Sequence, residues 1–202
     1  MVNHFMTLIL VSPIILESDL ILKIWLKTVP EYTSMFLNLT LILSLICTFS
    51  SSLLILNDAT GKVRNFEVIT GIFISMILPI SYVCLKIGFP CWSVVIVNIV
   101  IEFNVFFLRM YLLNKITSFP IVVFIKKVVL KCFFVTLVSL PIPIFLRLCL
   151  SKSFPCAIVI CLSASICALI STYIFGLDIN ERKFFKEKVV HVYRTLKTNI
   201  NI

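Results

Sequence analysis

Acidic residues are scarce in this sequence: nine Asp and Glu stand against eighteen Lys and Arg, and charged residues of both signs make up only 13% of the 202 positions. A soluble domain averages about 25% charged residues, so the chain has too little charge for an ordinary water-facing surface. Histidine occurs only twice, at His4 and His191, both outside the long apolar runs, which leaves no arguable Ser-His-Asp set and no His-rich metal centre. With four glycines there is no GxGxxG fingerprint and no P-loop, and HExxH is also missing. The eight cysteines (47, 84, 91, 132, 149, 156, 161 and 167) lie in or at the edges of apolar segments without a CxxC pair or a nearby histidine, and read as small hydrophobes. Catalytic residues, metal ligands and an organic cofactor are therefore not expected.

What the sequence has in abundance is apolar length: 60% of its residues are hydrophobic and its mean hydropathy is +1.14. A hydrocarbon core of about 30 Å needs about 20 apolar residues in helix. Ser34 to Leu56, Phe66 to Ile87, Cys91 to Leu113, Lys127 to Leu148 and Phe154 to Leu177 reach that length, and Phe5 to Leu16 makes a sixth, incomplete segment. The amino-terminal stretch "MVNHFMTLILVSPIIL" lacks the basic region and small-residue cleavage site of a signal peptide. Backbone amides in lipid must bond within their own segment, which makes these runs helices. The expected fold is an all-α integral membrane protein, with five complete transmembrane helices and a short or partial amino-terminal one in a bundle over residues 1–177.

The net charge of +9 does not point to nucleic acid, because the basic residues gather at the ends of the apolar runs as membrane-flanking anchors. With a cytoplasmic carboxyl terminus, thirteen Lys and Arg fall inside and five outside (Lys23, Lys27, Lys86, Arg147 and Lys152). Residues 178–202 form a basic tail. Asn180 can cap a helix there with Phe185, Val189, Val192 and Leu196 on one face and Lys183, Lys186, Arg194 and Lys197 on the other, suited to anionic lipid headgroups.

Within "VNIVIEFNVFF" (97–107), Glu102 interrupts an apolar run. A charge at a helix centre costs roughly 2.5 to 3.5 kcal/mol on insertion scales, while each Leu, Ile, Val or Phe returns about 0.3 to 0.6 kcal/mol, so the segment inserts despite the acid. Asn98, Glu102 and Arg109 follow at helical spacing and form one polar stripe that should face the bundle interior or a wet cavity. Two readings stand: a protonatable or cation-binding site linked to a conformational change, or a neutral carboxylic acid bonded to a neighbouring helix. The hydroxyl stripe Thr40, Ser44, Thr48, Ser51 and Ser52 reads as close packing, as do the small residues Ala157, Cys161, Ala164, Ser165 and Ala168. Kinks are expected at Pro79, Pro141 and Pro143.

Three stretches together resemble a known family: "PIILESDLILKIWLKTVPEYT" (13–33), "NDATGKVRNFEVITG" (57–71) and "FGLDINERKFFKEKV" (175–189). They are similar to the carboxyl-terminal part of bacterial polysaccharide flippases, the Wzx-type members of the multidrug/oligosaccharidyl-lipid/polysaccharide exporter superfamily. "IEFNVFFLRMYLLNK" (101–115) resembles that family's acid-then-arginine helix. The resemblance implies an inner-membrane carrier that moves undecaprenyl-pyrophosphate-linked oligosaccharide, in O-antigen or related polysaccharide biosynthesis, from the cytoplasmic to the periplasmic leaflet. Its members are more than twice this length, so the chain corresponds to one half and needs a missing amino-terminal half or another polypeptide to complete it. Lys62, Arg64 and Arg109 would lie toward the cytoplasmic face, where a pyrophosphate headgroup is loaded, or serve only to fix topology. A small non-transporting membrane subunit of the same pathway is the alternative.

Overall fold

The computed structural model describes residues 2–26, 28–61, 63–117, 120–149 and 154–176. Lys27, Lys62, Lys152 and the whole basic tail from residue 178, with its expected amphipathic helix, lie outside the described residues. Every element among those described is helical. They are α1 (Val2–Leu16), α2 (Ser18–Leu26), α3 (Thr33–Thr60), α4 (Val63–Ser75), α5 (Ile77–Lys86), α6 (Ser93–Thr117), α7 (Ile121–Phe124), α8 (Leu130–Ser139), α9 (Pro141–Cys149) and α10 (Phe154–Ser171). Two single π-helical turns, Ile125–Val129 and Thr172–Gly176, join α7 to α8 and extend α10.

Four helices among the described residues are long and apolar enough to cross a membrane: Thr33–Thr60, Val63–Lys86, Ser93–Thr117 and Phe154–Gly176. They coincide with four of the five expected segments. The fifth, Lys127 to Leu148, is divided instead at Leu140 into α8 and α9. Pro141 and Pro143 withhold the N–H groups that the carbonyls of Leu137 and Ser139 would use, and Pro141 takes the first position of α9, where a missing donor costs least. The piece before the break also carries Lys126, Lys127 and Lys131. Pro79 acts more mildly. It interrupts the ladder at Met76, three residues before the ring, and leaves α4 and α5 as one bent span.

The amino-terminal segment departs furthest from its expected minor role. Together α1 and α2 are apolar enough for one span, but they meet at a 77° bend at Glu17. Helix α1 lies between α3 and α10 and buries Phe5, Leu8, Val11 and Leu16. Asn3 reaches Ser51 and His4 reaches Thr48, so α1 runs antiparallel to α3. Phe5 lies against Gly176, and Leu16 packs with Ile160 and Ala164, so α1 also runs antiparallel to α10. Helices α3 and α6 are parallel, because Phe49 meets Phe106 while Leu53, one turn later, packs among Phe106, Met110 and Leu113. The start of α1, the ends of α3, α6 and α10, and the start of α7 therefore share one end of the bundle. That end carries Arg64, Lys115, Lys126, Lys127 and Lys131, the described part of the expected inside set except Arg109, which is buried within α6.

Turn chemistry supports the same layout. Gly61 ends α3 with φ of 71°, a left-handed conformation that glycine adopts without a side-chain clash, and its N–H bonds the carbonyl of Asp58. At the opposite end Arg147 on α9 approaches Glu17 at the α1–α2 bend, 3.9 Å apart.

Candidate functional site

Helix α6 has 25 residues and its midpoint is Val105. Its buried side consists of Glu102, Val105, Phe106, Arg109, Met110 and Leu113, a spacing of three and four that defines one face of a helix. The Arg109 guanidinium donates through Nη1 to Glu102 Oε1 at 3.1 Å, and both side chains are withdrawn from the surface, 7% and 12% exposed respectively. Seven residues of helix rise about 10 Å. The gap closes because an Arg side chain leans toward the helix amino terminus. The ion pair therefore straddles the middle of the span.

This geometry settles how the stripe read from the sequence is wired. Glu102 is bonded to Arg109 of its own helix. Arg109 is buried, 6% exposed, with its guanidinium directed back toward the centre of α6. It does not stand at the end of the bundle as a headgroup contact. Arg64 is exposed on the first turn of α4, Lys62 lies outside the described residues, and Asn98 is half-buried one turn before Glu102. Arg64 and Arg109 thus occupy different environments and do not form one cationic cluster.

Across from the pair stands α3. The face bearing Leu53, which meets α6, also carries Ser50 and Asn57 at i−3 and i+4. Both are buried, Asn57 completely, and among the described residues neither the Ser50 hydroxyl, nor either polar atom of the Asn57 amide, nor the Nε of Arg109 has a hydrogen-bond partner. Cys47, one turn before Ser50, lies close enough to feel both members of the charge pair. A buried polar group left unpaired costs roughly 1 to 3 kcal/mol. The α3–α6 interface is therefore polar and incompletely satisfied at and below the middle of the membrane.

The hydroxyl stripe named from the sequence behaves differently. Thr40, Ser44, Thr48, Ser51 and Ser52 each donate to a carbonyl three or four residues earlier in α3. Such back-bonding satisfies a hydroxyl inside its own helix. Thr48 additionally forms a hydrogen bond with Nδ1 of His4 at 2.7 Å. This buried His4–Thr48 bond, with Phe49 stacked at 4.5 Å from the imidazole, was not legible in a sequence reading that left His4 outside the spans.

No protein-family model matches this chain, and no curated protein or solved structure is significantly similar to it. The family resemblance therefore remains a matter of the short motifs themselves.

Proposed function

We propose that this multi-pass protein serves transport, as one section of a flippase-type carrier for undecaprenyl-pyrophosphate-linked oligosaccharide in a bacterial inner membrane, with its carboxyl terminus in the cytoplasm. The observation that carries the transport reading is the Glu102–Arg109 pair at mid-span. Ionisable residues at that depth are costly, and they mark ion pathways and coupling sites in membrane proteins. The lipid-linked substrate comes from the motif resemblance alone.

In this reading Glu102 is the coupling group and Arg109 its resting counter-ion. A proton or a metal cation arriving at the carboxylate competes with Arg109 for it, and the freed guanidinium must find a new partner. Occupancy of Glu102 is thereby tied to rearrangement of α6 against α3. Arg64 at the basic end of the bundle supplies an exposed cation for an anionic headgroup, together with Lys62. The chain does not carry out translocation alone, since its companion half must close the far side of a hydrated path.

Deletion of the gene in its host, followed by assay of leaflet distribution, tests the proposal. Lipid-linked oligosaccharide should accumulate on the cytoplasmic side, and the wild-type chain should restore export. Glu102→Gln should restore export that no longer responds to collapse of the proton or sodium gradient. An unchanged leaflet distribution in the deletion strain would overturn the flippase reading. Gradient-sensitive export by Glu102→Gln would remove Glu102 from coupling.

A further inference from the structure

On the side of α6 away from Glu102, the sequence places Val100, Asn104, Phe107 and Tyr111 at successive spacings of four, three and four. This is the a/d pattern of a helix that packs against another along a seam. Yet all four residues are exposed, Val100 at 54%, Phe107 at 48% and Tyr111 at 63%, so no helix among the described residues covers them. Asn104 is one residue from the midpoint of the span. Its Nδ2 donates to the carbonyl of Val100 at 2.7 Å, a bond inside α6 that uses one of its two N–H groups and leaves the amide oxygen available.

An amide facing hydrocarbon at that depth contrasts with the outward face of α10, where Ile158, Leu162, Ile166 and Leu169 offer only apolar surface. Polar side chains in membrane helices bond across helix pairs. A single Asn at an a position specifies register and pairing in parallel coiled coils, because an amide is both donor and acceptor and so complements an identical amide. The asymmetric distribution of Lys and Arg gives every copy the same orientation in the membrane. A two-fold axis along the membrane normal then brings α6 beside its equivalent in parallel.

We propose that the seam Val100–Asn104–Phe107–Tyr111 on α6 is the contact through which two copies of this chain associate, with Asn104 of each copy bonded to Asn104 of the other. Phe107 and Phe103, whose rings meet edge to face at 5.0 Å, form a rigid aromatic ridge beside that bond. Glu102 points toward α3 on the opposite side of α6, so pairing leaves the charge pair inside each protomer. This association goes beyond the transport reading and does not depend on it.

Photobleaching-step counting of the fluorescently tagged full chain in liposomes, over a series of protein densities, tests the contact. The wild type should pass from one to two copies as density rises. Asn104→Leu, which keeps size and favours insertion, should shift that transition to about 3- to 30-fold higher density, the range expected for one interhelical polar bond. Asn104→Gln should hold it near the wild-type position, which separates loss of the bond from loss of fold, and Leu162→Ala on α10 should leave it in place. A wild type that remains single at every density overturns the proposal, whether or not another membrane protein binds the seam. An Asn104→Leu transition equal to that of the wild type overturns it as well.

Discussion

Two interfaces of this bundle are built from opposite materials. Between α1 and α10, Ala157, Ile160, Ala164 and Ala168 present a nearly smooth buried face on which Leu16 and Phe5 rest, and Gly176 lies so close that a Cβ there would sit 2.9 Å from the Phe5 ring. Between α3 and α6 the buried residues include an ion-paired carboxylate and guanidinium, together with an amide and a hydroxyl that have no partner among the described residues. In lipid there is little hydrophobic force between helices, so small residues that let backbones approach are the usual source of packing energy. The first interface follows that logic. The second gives up stability to enclose polar groups.

The contrast can be broken most severely at the charge pair. Arg109→Leu or Glu102→Leu leaves an uncompensated buried charge, and each should lower unfolding stability in lipid nanodiscs by about 3 to 5 kcal/mol. The double variant should recover most of that loss, because the pair together contributes little net stability. A double-variant loss equal to the sum of the two single losses would show that the two groups do not act on each other. Next in size, Leu53→Ala removes the α3 anchor among Phe106, Met110 and Leu113. It should cost about 2 to 5 kcal/mol in the same assay through the cavity it leaves.

On the smooth side the expected effects arise from overpacking. Gly176→Ala forces its methyl group against Phe5 and should cost about 1 to 3 kcal/mol, relieved when Phe5→Leu is added. Smallest of all, Thr48→Val deletes the hydroxyl that bonds His4. Its cost should be near 0.6 kcal/mol, the average for interhelical polar bonds in lipid. A loss several times larger would mean that the α1–α3 contact has more polar character than its geometry implies.

Much of this architecture was legible because lipid simplifies the code. Four spans could be read from apolar length alone, since any such run must be helical and of one minimum length. Segment 127–148 was read as one span with kinks at Pro141 and Pro143, and the structure divides it there into α8 and α9. Pro141 and Pro143 two residues apart remove adjacent donors and break a helix that Pro79, standing alone, only bends. Helix α1 was read as short or partial, and its fifteen residues are too few to cross by themselves; α2 follows only after a 77° bend, the geometry of a broken span or a re-entrant loop.

The candidate site was half legible. Spacing alone put Asn98, Glu102 and Arg109 on one stripe, but not the choice of Arg109 as partner, which depends on the lean of its side chain. Nor could spacing show that Ser50 and Asn57 are the buried polar residues of α3 while the more conspicuous Thr and Ser stripe satisfies itself. That distinction rests on which face of α3 meets α6. The small residues of α10 were read correctly as packing, although Ala157, Ala164 and Ala168 supply the buried face and Cys161 and Ser165 stand at its margin.

The central claim is a helical bundle spanning a membrane with a charge pair enclosed halfway across. Cys47 beside that pair offers a native reporter, once the other seven cysteines are replaced by alanine. Collision rates of a nitroxide on Cys47 with oxygen and with a water-soluble nickel chelate, measured in liposomes, give its depth. The account predicts frequent oxygen collisions and few chelate collisions, placing the label near the bilayer centre. Chelate access equal to that of a label at Gly61, on the loop between α3 and α4, would contradict it.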